Sequence, residues 1–277
     1  MNFLKGIVFM GEKNPVVIDM HHHLLNVPHY DKQLIDTMDR LKIDYACVSG
    51  LGLPSANWLG DLSPTNDDVL RSMDRYQDRI IGFGNIRLGV DKVQKVEELY
   101  SQGFTGIKTT RALKNYDDEE FDEIYARAEA LGLPILFHTG FILKTFNDKQ
   151  DNVSAARMRP EMLDRVARTF PDLVIIIAHL GMPWHEEAAQ MTRFHENVYV
   201  DLSGSPNGWR NRKAPHFFNE LFYWEEAYEK VVFGSDVHFN DVEDSLNDYK
   251  RILTLNNIPL KTQQNIFGET MRKILKL

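Results

Sequence analysis

Eight apolar runs rich in β-branched residues alternate with amphipathic stretches along this chain, and that alternation constrains the fold more than any other feature. The runs cover residues 16–23, 44–50, 80–86, 106–110, 134–140, 173–181, 198–204 and 231–239. Between them, helices are predicted over 31–42, 65–76, 91–102, 117–131, 159–170, 185–196 and 217–228, and two more, 242–256 and 261–277, follow the eighth run. In 117–131, Phe121, Ile124, Tyr125, Ala128 and Leu131 recur at helical spacing and form one apolar face. The run Val174-Ile175-Ile176-Ile177 is apolar at every position, so both of its faces must be covered, as in a parallel sheet.

Eight such units predict an α/β fold closed as a (β/α)8 TIM barrel rather than an open sheet. A chain of 277 residues, 43% of them hydrophobic, suits one such domain spanning 1–277. Connection lengths point the same way. Helix-to-strand links such as 131–134 and 170–172 are short, whereas the strand-to-helix links 51–64, 141–158 and 205–216 are long. Length has accumulated at the C-terminal ends of the strands, where barrel enzymes build their sites. Residues 2–14 are expected to cover the other end or an edge.

A net charge of −8 leaves no basic surplus to neutralise phosphates, which argues against nucleic acid or an anionic membrane as partner. No run of about eighteen apolar residues predicts a membrane span. Residues 1–12 show no signal-peptide cleavage pattern, and a cytoplasmic protein is expected. Cys47 is the single cysteine, so neither an intrachain disulfide nor a cysteine zinc site is available.

The chemistry-bearing residues fall on one rim of this scaffold. Asp19-Met20-His21-His22-His23 ends the first run, and strand alternation puts Asp19, His21 and His23 on one face and His22, a packing residue, on the other. Two imidazoles so spaced converge on a point, as a metal requires. His138 ends the fifth run, His179 the sixth and Asp236 the eighth. Taken singly, each has an ordinary reading as a hydrogen-bonded histidine or a helix-capping acid. Burying four imidazoles and a carboxylate at one rim without a shared role would be costly, and together they predict a metal site.

The Asp-x-His-x-His of the first run, the histidines after the fifth and sixth, and Gly234-Ser235-Asp236 resemble the amidohydrolase superfamily. The resemblance is nearest to its amidohydrolase-related branch, which includes aminocarboxymuconate semialdehyde and resorcylate decarboxylases and lactone hydrolases. It extends to Arg159-Pro160, to Phe170-Pro171-Asp172-Leu173 and to the closing Asn265-Ile266-Phe267-Gly268-Glu269-Thr270. It implies that His21, His23, His138 and Asp236 ligate one divalent ion, most often zinc, with manganese or iron(II) also compatible with three imidazoles and a carboxylate. It implies that His179 and Asp236 serve as the catalytic proton carriers. Lys108 stands near the carboxylated lysine of binuclear relatives, but a pairing with a carboxylate or a substrate anion is the preferred reading. Relatives are often dimers, so a homodimer is compatible with the resemblance.

Arg111, Trp58, Trp209 and Arg210 join Lys108 as candidates for contact with a small-molecule substrate, the arginines because their fork suits a carboxylate. Arg87, Arg212 and His185 are further pocket candidates; His29, His195 and His216 read as bystanders, and His238 stands where relatives often carry proline. The leading functional expectation is a metal-dependent hydrolase acting through an activated water on a small carboxylated or cyclic substrate, a lactone or an amide. The alternative is a non-oxidative decarboxylase of an aromatic or muconate-like acid. A non-catalytic metal-binding barrel is the third reading.

Overall fold

A computed structural model describes residues 15–52, 63–205 and 208–277. Eight parallel strands follow one another around a barrel in sequence order: β1 Ile18–His23, β2 Tyr45–Ser49, β3 Ile80–Asn85, β4 Gly106–Thr109, β5 Ile135–Phe137, β6 Ile175–Ile177, β7 Val198–Asp201 and β8 Val231–Val232. Backbone hydrogen bonds bring the ends of the sheet together: Met20 N–H donates to Phe233 O at 2.9 Å and Asp236 N–H to His21 O at 2.7 Å. The fold is the predicted (β/α)8 barrel.

The outer helices are α1 Tyr30–Leu41, α2 Asn66–Arg75, α3 Val93–Ser101, α4 Asp122–Leu131, α5 Asp164–Thr169, α6 His185–Phe194, α7 His216–Leu221 and α8 Val242–Leu255. Alternation within the strands separates two apolar layers. Ile135, Phe137, Ile175, Ile177, Val198 and Val200 pack with the helices, whereas Leu136 and Ile176 join Ile18, Met20 and Phe83 in a smaller inner cluster. Met271, Ile274 and Leu275 from the C-terminal segment pack onto that inner cluster with Val16, Tyr45 and Val174, which lie at the starts of strands. The C-terminal segment therefore plugs the N-terminal end of the barrel. The cover expected from 2–14 lies outside the described residues. Among the described residues, no helix is long and apolar enough to cross a membrane.

Several predicted elements are shorter than expected. β5, β6 and β8 stop before Gly140, His179 and Asp236, whose φ angles of 99°, 58° and 47° leave the extended region and end the ladder. Those turns aim the following side chains across the rim. The predicted helix 159–170 opens instead as a 3-10 turn at Pro160–Leu163 before α5, with proline at the first position, where its missing N–H costs no helical hydrogen bond. The predicted helices 217–228 and 261–277 are also broken, the first after Leu221 and the second by a π-turn at Asn265–Glu269.

β1 corrects the expected alternation. Its pairing with β2 shifts register between Asp19 and His22, so His21 and His23 still converge while Asp19 does not join them. The Asp19 carboxylate accepts Ser235 N–H at 2.8 Å and Ser235 Oγ–H at 2.5 Å. His22 is fully buried and hydrogen-bonded to Ser235 Oγ and Tyr30 Oη, both at 3.0 Å, a structural role stronger than packing alone.

Candidate metal centre

Four imidazoles and two carboxylates gather at the C-terminal mouth of the barrel. The Nε2 atoms of His21 and His23 face each other at 3.3 Å. Asp236 Oδ1 lies 3.3 Å from His23 Nε2 and 3.8 Å from His21 Nε2. Its other oxygen, Oδ2, is 3.7 Å from His179 Nε2, which in turn lies 3.3 Å from His138 Nδ1. Gly234 permits this closeness, since a Cβ there would stand 2.7 Å from His21 Cβ.

The outer hydrogen bonds identify which nitrogens carry protons. His21 Nδ1 is 2.8 Å from Asp201 Oδ2, a buried carboxylate that can only accept. His23 Nδ1 lies 2.8 Å from Ser49 Oγ and 3.3 Å from the Ser49 carbonyl oxygen, again an acceptor. Both rings are therefore donors at Nδ1, and their Nε2 lone pairs confront each other beside a carboxylate. Such a confrontation is repulsive unless a cation lies between, and the donor set suits a divalent ion. Lys108 Nζ reaches the same His21 lone pair at 3.1 Å, a contact that an ion must displace. His138 Nε2 is buried with no hydrogen-bond partner, a second unmet acceptor or donor at the site.

Among the described residues, two sets of potential ligand atoms are tight enough for one ion: His21, His23 and Asp236, and His21, His179 and Asp201. The Ser203 hydroxyl already bridges the second set, 3.1 Å from His21 Nδ1, 2.9 Å from His179 Nδ1 and 2.5 Å from Asp201 Oδ1. That leaves the Nε2 side of His21 for the ion. His138, expected among the ligands, belongs to neither set and meets His179 instead.

Electrostatics follow from burial. Desolvation holds His21, His23 and His138 well below the ordinary histidine value, with neighbouring positive groups adding to the effect. Desolvation also lowers His179, to about 4, against the opposing charge of Asp201. Asp236 is raised to about 7 by burial, and Lys108 is lowered to about 8 by the same cause, the two charges partly offsetting each other's loss of water.

A cavity of about 310 Å³ opens above these groups, with Phe141, Ile142, Leu143, Met182 and Trp209 as an apolar wall. Lys108 and Arg111 line it as expected. Lys108 is buried and forms no ion pair within 4 Å among the described residues, so of the two partners expected for it, a carboxylate or a substrate anion, no carboxylate is in direct contact there. Trp209 lines the cavity and donates Nε1–H to Ser203 O at 3.2 Å, with His185 packed against its ring and outside the cavity. Trp58 lies outside the described residues.

Arg210 is placed elsewhere. Its guanidinium is fully buried, donating to Leu202 O at 2.6 Å, Gly204 O at 3.0 Å and Ser245 Oγ at 3.1 Å, with Asp248 at 3.4 Å. These bonds tie the β7 loop to α8; Nε is left without a partner, but the side chain does not line the cavity. Arg87 pairs with Asp151 at 2.8 Å, and Arg212 is exposed. His238 caps a turn by accepting Asn240 N–H at 3.3 Å, while His195 pairs with Asp164 at 2.8 Å.

Asp201 and Ser203 were missed by the sequence reading. A signal was present, since Asp201 is an acid within the otherwise largely apolar seventh run and ends β7, but nothing in the chain order pairs it with His21.

The amidohydrolase family profile matches residues 18–277. The chain belongs to that family. No curated protein matches this amidohydrolase. Among solved structures, it is similar to an uncharacterized TIM-barrel protein from Bordetella bronchiseptica at 17% identity and TM-score 0.70, covering 94% of this chain and 98% of that one. A probable 2-pyrone-4,6-dicarboxylic acid hydrolase from Acinetobacter baumannii, solved with citric acid, aligns at 15% identity and TM-score 0.64, covering 94% and 99%. A 5-carboxyvanillate decarboxylase from Novosphingobium aromaticivorans, solved with manganese and a nitrobenzoic acid, aligns at 16% and 0.62, covering 96% and 97%. At such identities the likeness is one of fold.

Proposed function

We propose that this amidohydrolase is a metal-dependent hydrolase of a small carboxylated or cyclic substrate, a lactone or an amide. The observation that carries the reading is the placement of Asp236, one oxygen against His23 and the other against His179, at the floor of the cavity. His21, His23 and Asp236, completed by His138, would hold one divalent ion, zinc as first choice and manganese or iron(II) as alternatives. A divalent ion there supplies Lewis-acid polarisation of a substrate oxygen. Asp236 Oδ2 and His179 Nε2 lie 3.7 Å apart, too far for a direct hydrogen bond but on either side of a position from which one could take the proton lost by attacking water and the other return a proton to the leaving group. Lys108 Nζ would hold an anionic substrate group beside the imidazoles, and Trp209 with the apolar wall would keep bulk water away.

The apolar wall favours a second reading, non-oxidative decarboxylation of an aromatic or muconate-like acid, because a flat ring fits against Phe141, Ile142 and Leu143. The structurally similar decarboxylase supports it, as the similar hydrolase supports the first. Turnover of lactones, amides and hydroxybenzoates in 18O-labelled water separates them. Label appearing in an acid product is expected; release of carbon dioxide without label would replace the hydrolase reading by the lyase one.

A further inference from the structure

Arg111 follows β4 with φ 54°, a left-handed conformation that a residue with a Cβ adopts at some cost, and its side chain lines the cavity while only 2% exposed. A buried guanidinium is destabilising unless a carboxylate neutralises it. Here the carboxylate is internal. Arg111 Nη2 donates to Asp148 Oδ1 in a short contact and to Thr145 Oγ1 at 2.6 Å, while Nη1 donates to Leu143 O at 3.2 Å. Asp148 also accepts Thr145 N–H at 3.1 Å and Thr145 Oγ1–H at 2.8 Å, which holds its oxygen in the fork. Arg111 Nε is buried and without a partner, so the internal acceptors occupy the Nη1–Nη2 fork and not the whole guanidinium. A second clasp lies alongside: Arg87 binds Asp151 at 2.8 Å and donates to Arg111 O at 3.3 Å. The segment held by the two arginines is continuous with Phe141, Ile142 and Leu143, the apolar wall.

This placement has a consequence for the substrate, resting on the reading of the site given above. Lys108 and Arg111 are the cations that line the cavity among the described residues. With Arg111 neutralised, Lys108 at the imidazole end is the cation of the pair with no carboxylate in direct contact among the described residues, although the charges of Asp236 and Asp201 reach it. We propose that Asp148 sets the charge specificity of the pocket: it fills the Arg111 fork that would otherwise receive a second substrate carboxylate. The site therefore selects monocarboxylates with an apolar remainder, because Arg111, already neutralised by Asp148, offers no free cation to the far carboxylate of a dicarboxylate, which would be desolvated there without a counter-charge.

The test is calorimetric titration of the metal-loaded protein with benzoate and with benzene-1,3-dicarboxylate, in the wild type, Asp148→Asn and Asp148→Asn/Arg111→Gln. Expected is a wild-type preference for the monoacid of about tenfold or more, lowered about tenfold by Asp148→Asn and restored in the double variant. A wild type that binds the diacid as tightly as the monoacid overturns the proposal. So does a folded Asp148→Asn whose ratio equals that of the wild type. If Asp148→Asn fails to fold, the wild-type ratio decides alone. Failure of both acids to bind the wild type overturns the acid-substrate reading together with this inference, whereas binding with the wrong ratio overturns the inference only.

Discussion

Asp201 Oδ2 accepts the Nδ1–H of His21 at 2.8 Å, and both side chains are fully buried. The carboxylate thereby orients the ring and leaves the Nε2 lone pair facing His23 and Asp236. Its other oxygen accepts His179 N–H at 2.7 Å and Ser203 N–H at 2.9 Å, so one residue positions two sides of the site. Asp201→Asn is expected to weaken zinc or manganese binding by about 10- to 100-fold, the usual cost of losing such a partner. Calorimetric Kd values would check this, with circular dichroism as the control for folding. Unchanged affinity would mean that packing alone orients His21.

His138 and His179 make a pair whose roles a metal assay separates. His138→Ala is expected to lose the ion, read as metal content per chain after purification and reloading. His179→Ala is expected to keep it and to lose activity by on the order of 10²- to 10⁴-fold, the range for a proton carrier. The reverse outcome would transfer ligation to His179, which the structure groups with His21 and Asp201.

Arg210→Ala is expected to act on stability. The change removes donors to Leu202 O and Gly204 O and leaves Asp248 without its buried partner. Breaking a buried pair costs on the order of 3 kcal/mol, or a fall in Tm of about 6–12 °C for a chain of this size. Substrate KM in the surviving folded protein should change little, since the side chain does not line the cavity.

The metal-free protein should be acid-labile. His21, His23, His138 and His179 have native pKa values below the ordinary 6.5, the last at about 4, so the unfolded chain binds protons that the native state refuses. Stability is then lost as pH falls below 6.5, by up to about 1.4 kcal/mol per pH unit for each imidazole. Asp236, raised to about 7, works in the opposite sense because its native form takes up a proton first, but it is one group against four. Thermal melts of chelator-treated protein should show Tm falling from pH 6.5 to 5, and added zinc at pH 6.5 should raise it. A flat Tm over that interval would contradict the burial of these imidazoles in the metal-free state.

Much of the fold was legible in the chain because barrel strands must be apolar on both faces and therefore stand out as runs. Their ends were less legible. Periodicity puts His138, His179 and Asp236 at the ends of strands, whereas they follow residues where the ladder has already closed, and left-handed turns at His179 and Asp236 do the aiming. A left-handed φ on a histidine or an aspartate leaves no mark in composition or periodicity. Asp19 shows the same limit within a strand, since period-two counting assumes an unbroken register and β1 shifts.

The sequence by itself determined the architecture and the rim on which the reactive groups lie, because both depend on local periodicity and chain order. The family could be recognised from His21, His23, His138, His179 and Asp236 for the same reason. Only the tertiary structure decided what each side chain touches. It brought Asp201 to His21 across 180 residues of chain, turned Arg210 into a strut and gave Arg111 to Asp148. Contacts of this kind are made between loops from different strands, where a shift of a few ångströms exchanges one partner for another, and no spacing along the chain records them.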